Sequence, residues 1–135
     1  MTHAYVAQST DLASRMQRVA AQFLDGIVGA APFLAALLSS AVLHRSSVVL
    51  IVVCALFGVL YTLLADGLED GQSLGKRLVG IRVVSIETGR PCTFGQSLVR
   101  NLLLTILGPI DWVFIFGERH QRLGDKAAGT IVIPD

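Results

Sequence analysis

Residues 46–65 read SSVVLIVVCALFGVLYTLLA, a stretch without a single charge. At about 1.5 Å rise per residue such a helix reaches roughly 30 Å, the thickness of a hydrocarbon core, so the run is read as a transmembrane helix. Just upstream, residues 19–43 form a second apolar run interrupted only by Gln22 and Asp25. Pro32 inside it removes a backbone bond to the carbonyl of Val28, a kink that membrane helices tolerate where neighbours or water satisfy the freed group. Ser39-Ser40-Ala41 resembles a cleavage site, but the apolar region of a signal peptide spans only about 7–15 residues, so a second membrane helix is expected. The rest of the chain agrees with this reading: of 135 residues, 53% are hydrophobic and 16% charged, and the mean hydropathy is +0.63. One domain of that composition excludes intrinsic disorder. Two cysteines, Cys54 and Cys92, cannot make a disulfide scaffold. A net charge of +1 without a clustered basic helix excludes a strongly basic nucleic-acid-binding domain.

The third apolar segment, residues 98–116, holds Arg100, Asn101 and Asp111 and is broken by Gly108-Pro109. It crosses the membrane, dips in and returns, or lies along the surface. Charge separates these options, because positive residues collect on the cytoplasmic side. His44-Arg45 forms the tight tip of an antiparallel hairpin; Arg15 and Arg18 precede it, and Lys76, Arg77, Arg82 and Arg90 follow it. If the third segment crosses, Arg119, Arg122 and Lys126 leave the cytoplasmic side and the count is six inside against four outside; if it returns, nine against one, leaving Arg100 aside. Return or surface lying is therefore expected, with the N-terminus cytoplasmic.

The polar half has its own pattern. Residues 79–86, VGIRVVSI, are β-branched and long enough for a strand. Glu87-Thr88-Gly89-Arg90 offers a turn, 91–94 could run back, and 130–133, TIVI, is a second strand candidate. Pairing the two strands demands that both lie on one side of the membrane. Small residues at a spacing of four, Gly26/Ala30, Ala31/Ala35 and Gly58/Thr62, would let helices approach closely. Tyr61 and Trp112 suit either interfacial anchoring or core packing.

Asp25 is the residue most pointed toward chemistry, because a charge in an apolar helix is costly. It is read either as an ion- or proton-responsive carboxylate or as half of a helix-locking ion pair with Arg18 or Arg100. Asp111 is read as a cap for a helix starting after Pro109, or as an ion ligand. Arg100 and Asn101 are read as markers of the membrane boundary. Counted from Asp66, Gly71 sits at the sixth position of a calcium loop, but Leu68 and Arg77 defeat the match. Gly71–Arg77 superficially resembles a phosphate loop, with one residue too few and no Ser/Thr after the lysine. His3, His44 and His120 are scattered, and no G-x-S-x-G occurs. Neither enzyme activity, nor a metal, nor a cofactor is expected.

Three blocks resemble the RDD family of bacterial membrane proteins. Arg18-Val-Ala-Ala-Gln-Phe-Leu-Asp25 is similar to its opening R-x-x-A-x-x-I-D. Gly71-Gln-Ser-Leu-Gly75-Lys76-Arg77-Leu-Val-Gly80-Ile-Arg-Val-Val84 is similar to G-x-T-x-G-K-R-L-L-G-L-R-V-V. Arg119-His-Gln-Arg122-Leu-Gly-Asp125-Lys-Ala-Ala-Gly129-Thr-Ile-Val132 is similar to R-Q-x-x-H-D-x-x-A-G-T-x-V. By position Arg18 and Asp25 match the family's arginine and first aspartate, and Asp125 the second, with Asp111 a rival. Gly124 stands where the family often has histidine, and Ser73 for the usual threonine. The resemblance implies transport of an unidentified ligand, with cation/proton exchange one form of it.

Together these readings describe an all-α integral membrane protein of the bacterial inner membrane. Its single domain, 1–135, comprises helix 1 (19–43), helix 2 (46–65), a cytoplasmic segment with a small β-element (66–97), a third broken, re-entrant or transmembrane segment (98–116) and a tail (117–135). Its partners would be the bilayer and either copies of itself or the subunits of a larger membrane complex, with no nucleic acid. In the first case it transports, with Asp25 titrating under the influence of Arg18 and Arg100; in the second it is an accessory scaffold.

Overall fold

A computed structural model describes residues 12–44, 47–117 and 120–135 of the chain. Of the positions read above, His3, Arg45, Ser46 and Arg119 lie outside the described residues. Helix α1, Arg15–Leu43, begins a full turn before the apolar run does. The reason is a capping box: Ser14 accepts from the Gln17 backbone N–H at 3.1 Å, and the Gln17 side chain accepts from the Ser14 N–H at 2.9 Å. At 29 residues, α1 is about 43 Å long, more than a hydrocarbon core requires, so its lower turns are available to pack against protein.

Helix α2, Val48–Leu64, is capped by Ser47 and runs antiparallel to α1. The two backbones nearly touch where Gly58 meets Gly29; a Cβ on Gly58 would lie 2.6 Å from the Gly29 carbonyl oxygen. None of α2's residues is buried, and Val49, Phe57 and Leu60 are among its exposed apolar side chains. Among the described residues these two helices are long and apolar enough to cross a membrane.

The remaining elements are α3 (Leu74–Val79), β1 (Ile81–Ser85), α4 (Phe94–Leu107), α5 (Pro109–Val113), α6 (Leu123–Ala128) and β2 (Thr130–Pro134); α4 packs along α2, and α3, α6 and the strands lie at one end of the hairpin. As expected, β1 and β2 pair, antiparallel, with Val83 opposite Val132. Residues 91–94 do not run back as a strand. Only Pro91 bridges to Val84, and Thr93 instead caps α4 in a second capping box with Gln96. The third segment starts at Phe94 for that reason, earlier than its apolar run, and Gly108-Pro109 bends it by 111°. It is broken rather than straight. Under the helices lies a small apolar core of Ala13, Ala21, Ile81, Val83, Cys92 and Val132.

Candidate functional site

Between this core and the apolar helices sits an unusual amount of buried charge. Among the described residues eight charged side chains are buried, four carboxylates (Asp25, Asp66, Asp111, Asp125) and four cations (Arg18, Lys76, Arg100, Arg122). Their formal charges cancel. Taking any one ion out of water costs several kcal/mol unless partners and hydrogen bonds compensate, so the cancellation is a condition for the fold.

Arg100, on α4, is wholly buried and joins two carboxylates. Its Nη1 donates to Asp66 at 2.5 Å, while Nε and Nη2 donate to Asp125 at 2.8 and 2.5 Å. Asp66 also accepts from the Lys76 ammonium, and from Asn101 at 3.1 Å. Asp125 also accepts from the Arg18 guanidinium and from the Arg122 backbone N–H, the latter at 3.1 Å. Burial alone would push Asp125 up, but Arg100, Arg18 and Arg122 outweigh it and hold the carboxyl far below the usual carboxylate range. A depressed carboxylate contributes stability that is complete above its ordinary pKa of about 4 and is lost as pH falls through the folded value. Thermal stability in detergent should therefore hold from pH 7 to about 5 and fall only below about 4. A decline that sets in near pH 6 would contradict this assignment.

Asp25 has a different set of partners. It accepts from Ser73 Oγ at 2.5 Å, the Gly75 backbone N–H at 2.7 Å and the Tyr61 hydroxyl at 2.9 Å, with Lys76 Nζ at 3.9 Å. Arg18 and Arg100 are not its partners: the pairing expected from the sequence is corrected to Lys76, because α3 folds against α1 and brings its own cation. Burial pushes the Lys76 ammonium below its usual range; Asp66 and Asp25 oppose that shift and Arg100 adds to it. A cavity of about 30 Å³, close to one water's share of volume, lies among Asp25, Tyr61, Asp66, Lys76 and Asn101.

Asp111 also departs from expectation. It lies in the first turn of α5 yet caps α6 instead, accepting from the Gly124 backbone N–H at 2.8 Å. Its second oxygen faces Arg122 Nε at 3.7 Å, and the Arg122 guanidinium lies 5.4 Å over the Trp112 ring. Arg100 and Asn101 do not mark a boundary; they are central to the network. Tyr61 is a hydrogen-bond donor to Asp25 and Trp112 packs under Arg122, and both side chains are half-buried. Gly124 cannot carry the family's histidine in this packing, since a Cβ there would lie 2.9 Å from the Arg100 Cα.

The structure thus joins Arg18 to Asp125, links Asp25 through Lys76 and Asp66 to Arg100, gives Asn101 a place in the network, and adds Asp66, Lys76 and Arg122, which the sequence reading did not select as site residues. Asp66 had surfaced only inside a failed calcium-loop match, and Lys76 in a failed phosphate-loop match, in the charge count and in a family block, never as a partner of Asp25. The signal that would have found them is charge neutrality: four acids near apolar segments require four bases.

Comparison with known proteins agrees with this architecture. A family model described as the RDD family matches residues 12–129. The proline-rich antigen homolog of Mycobacterium tuberculosis (strain ATCC 25618 / H37Rv) is 40% identical over 68 residues, covering 47% of this chain and 28% of that protein. The proline-rich antigen of Mycobacterium leprae is 34% identical over 68 residues, covering 47% and 27% respectively. A Haemophilus influenzae protein described as uncharacterized is 31% identical over 72 residues, 48% of this chain and 46% of that one. The match spans less than half the length of each of these relatives. No solved structure matches. With the family model covering residues 12–129, and so the whole network from Arg18 to Asp125, the chain belongs to the RDD family.

Proposed function

We propose that this chain is a multi-pass protein of a bacterial inner membrane that, as an oligomer, exchanges a small cation for protons. The N-terminus, both strands and the basic residues Arg15, Arg77, Arg82 and Arg90 would lie on the cytoplasmic side, in keeping with the distribution of positive charge. The observation that carries the exchange reading is the small cavity in which Asp25 and Asp66 share a single lysine, Lys76. Around that ammonium stand Asp25 from α1, Tyr61 from α2, Asp66 from the turn after α2, and Arg100 from α4. Loss of its proton leaves two carboxylates beside a neutral amine, a charge pattern that attracts a small cation. Return of the proton repels that cation again. Two helices and one bent segment do not enclose a path, so the reading requires association of several copies.

Asp25→Asn tests it. In proteoliposomes matched for the amount of folded protein the variant should lose cation-driven proton flux at least tenfold; wild-type flux would end the reading. A second reading, an accessory or scaffold subunit without transport, is favoured by the complete cancellation of buried charge, which suits a static lock. Purification in mild detergent separates the two: a lone homo-oligomer supports exchange, and stoichiometric foreign subunits support the scaffold. Neither reading includes an enzymatic step, a cofactor or a nucleic acid.

A further inference from the structure

A set of backbone and capping hydrogen bonds recurs in the two halves of the chain at the same relative positions. The Ser14/Gln17 capping box that opens α1 recurs as Thr93/Gln96 at the start of α4. Immediately before each cap, the Ala13 N–H donates to the Val132 carbonyl at 3.1 Å and the Cys92 N–H to the Val83 carbonyl at 2.9 Å, so donor and cap recur at one common offset. Further along, a second and shorter offset takes over, relating the single helical turns Ala65–Gly67 and Phe114–Phe116. At that same offset, the Gln72 side chain donates to the Ile81 carbonyl at 3.0 Å and the Gln121 side chain to the Thr130 carbonyl at 2.8 Å. Leu74-Gly75 and Leu123-Gly124 open α3 and α6, and the left-handed Gly80 (φ 78°) and Gly129 (φ 67°) close them. Gly75 packs on the Ala21 carbonyl of α1 and Gly124 on the Arg100 carbonyl of α4, which ties the two offsets together.

The sheet supplies the symmetry operator. In its register Ile81 faces Pro134, Ser85 faces Thr130 and Val83 faces its own counterpart, Val132. Such a pairing maps onto itself only under a two-fold rotation through the Val83–Val132 pair. Both α1 and α4 leave the sheet end in the same sense, so the axis runs along the hairpin, the arrangement of parallel repeats in membrane proteins. The first offset carries Val28 onto Leu107 and the second carries Leu60 onto Pro109. Gly108 alone therefore stands where the first half has residues 29–59.

We infer that the chain is an internal duplication about a two-fold axis along the hairpin, and that the second hairpin, α4–α5, lacks its tip, so segment 94–116 enters the membrane and returns without crossing. The 14 residues of α4 rise about 21 Å and stop at Gly108, short of a full crossing. Above that level the α1–α2 face has no counterpart. Beneath the missing tip lies an open apolar groove of about 380 Å³, running from Gly26 and Thr62 past Gly29 and Gly58 to Phe33 and Ala55, with Thr105 of α4 on its wall. Gly26 and Thr62 also line the polar cavity beneath, so the missing tip leaves the Asp25 cavity approachable from membrane depth. This inference needs membrane insertion but not exchange activity.

The test uses single cysteines at His44, Leu68, Thr105 and Gly117 in full-length protein carrying Cys54→Ala and Cys92→Ala. In vesicles of either orientation, a membrane-impermeant maleimide should label Leu68→Cys and Gly117→Cys from one face and His44→Cys from the other. If Gly117→Cys labels with His44→Cys, segment 94–116 crosses and the inference fails. A second chain replaces Gly108 with a copy of residues 29–59, restoring the tip. Its new hairpin end should label with His44→Cys, and Thr105→Cys should lose at least tenfold in reactivity toward a lipid-soluble maleimide. Unchanged Thr105→Cys reactivity in the inserted graft would overturn the placement of the groove. If the graft does not insert, the Gly117→Cys result decides alone.

Discussion

Arg100→Met is expected to lower stability by about 3–5 kcal/mol, the cost of removing one partner from a buried, hydrogen-bonded ion pair. Methionine fills much of the same space, so the loss would not come from a cavity. It comes from Asp66 and Asp125, which lose three charge-assisted bonds between them and leave four buried carboxylates against three cations. A whole domain holds only about 5–15 kcal/mol, so the variant should melt roughly 10–20 °C lower in detergent and yield poorly. A shift below about 3 °C would show that Arg100 behaves like an exposed pair, worth at most about 1 kcal/mol, and that the network is not closed to water.

Asp125→Asn should cost a similar amount for the complementary reason. The side chain keeps its shape, but the charge that offsets Arg18, Arg100 and Arg122 disappears, and an amide N–H₂ is turned toward guanidinium donors. The double variant Arg100→Met/Asp125→Asn restores three acids to three bases. It should therefore lose at least about 1 kcal/mol less than the two single losses added together, as residues in one network do. Strict additivity would mean that the two residues do not share an environment. The Asp125→Asn variant should also show a shallower fall in stability below about pH 4, since one of the two depressed carboxylates is removed while Asp66, held low by Lys76 and Arg100, remains.

The elements of this fold were legible because their causes are local. The charge-free run in 46–65, the β-branched VGIRVVSI and TIVI stretches, and the Gly108-Pro109 break each announce themselves within a few residues. The helix starts, set by Ser14-x-x-Gln17 and Thr93-x-x-Gln96, were missed: hydropathy places them a turn late, because a capping box is polar and lies outside the apolar run. The repeated L-G-x-x-x-x-G at 74–80 and 123–129 was also in plain view. It gains meaning only when the two glycines prove to touch equivalent carbonyls.

The partners of the charges were not legible, and Asp25 illustrates why. Arg18 lies two turns away on the same helix, and sequence proximity favours that pair. The folded chain sends Arg18 to Asp125, far along the sequence, and gives Asp25 the Lys76 that arrives only after the hairpin has turned back. In a low-dielectric interior no ion can be left over, so each pairing depends on every other carboxylate and cation being satisfied at once. Amino-acid order by itself settles where the chain is apolar, where it breaks and which stretches suit a strand, because those preferences depend on neighbours a few residues apart. Which acid meets which base is decided only when distant segments pack, because complete compensation of buried charge is a property of the whole assembly of side chains.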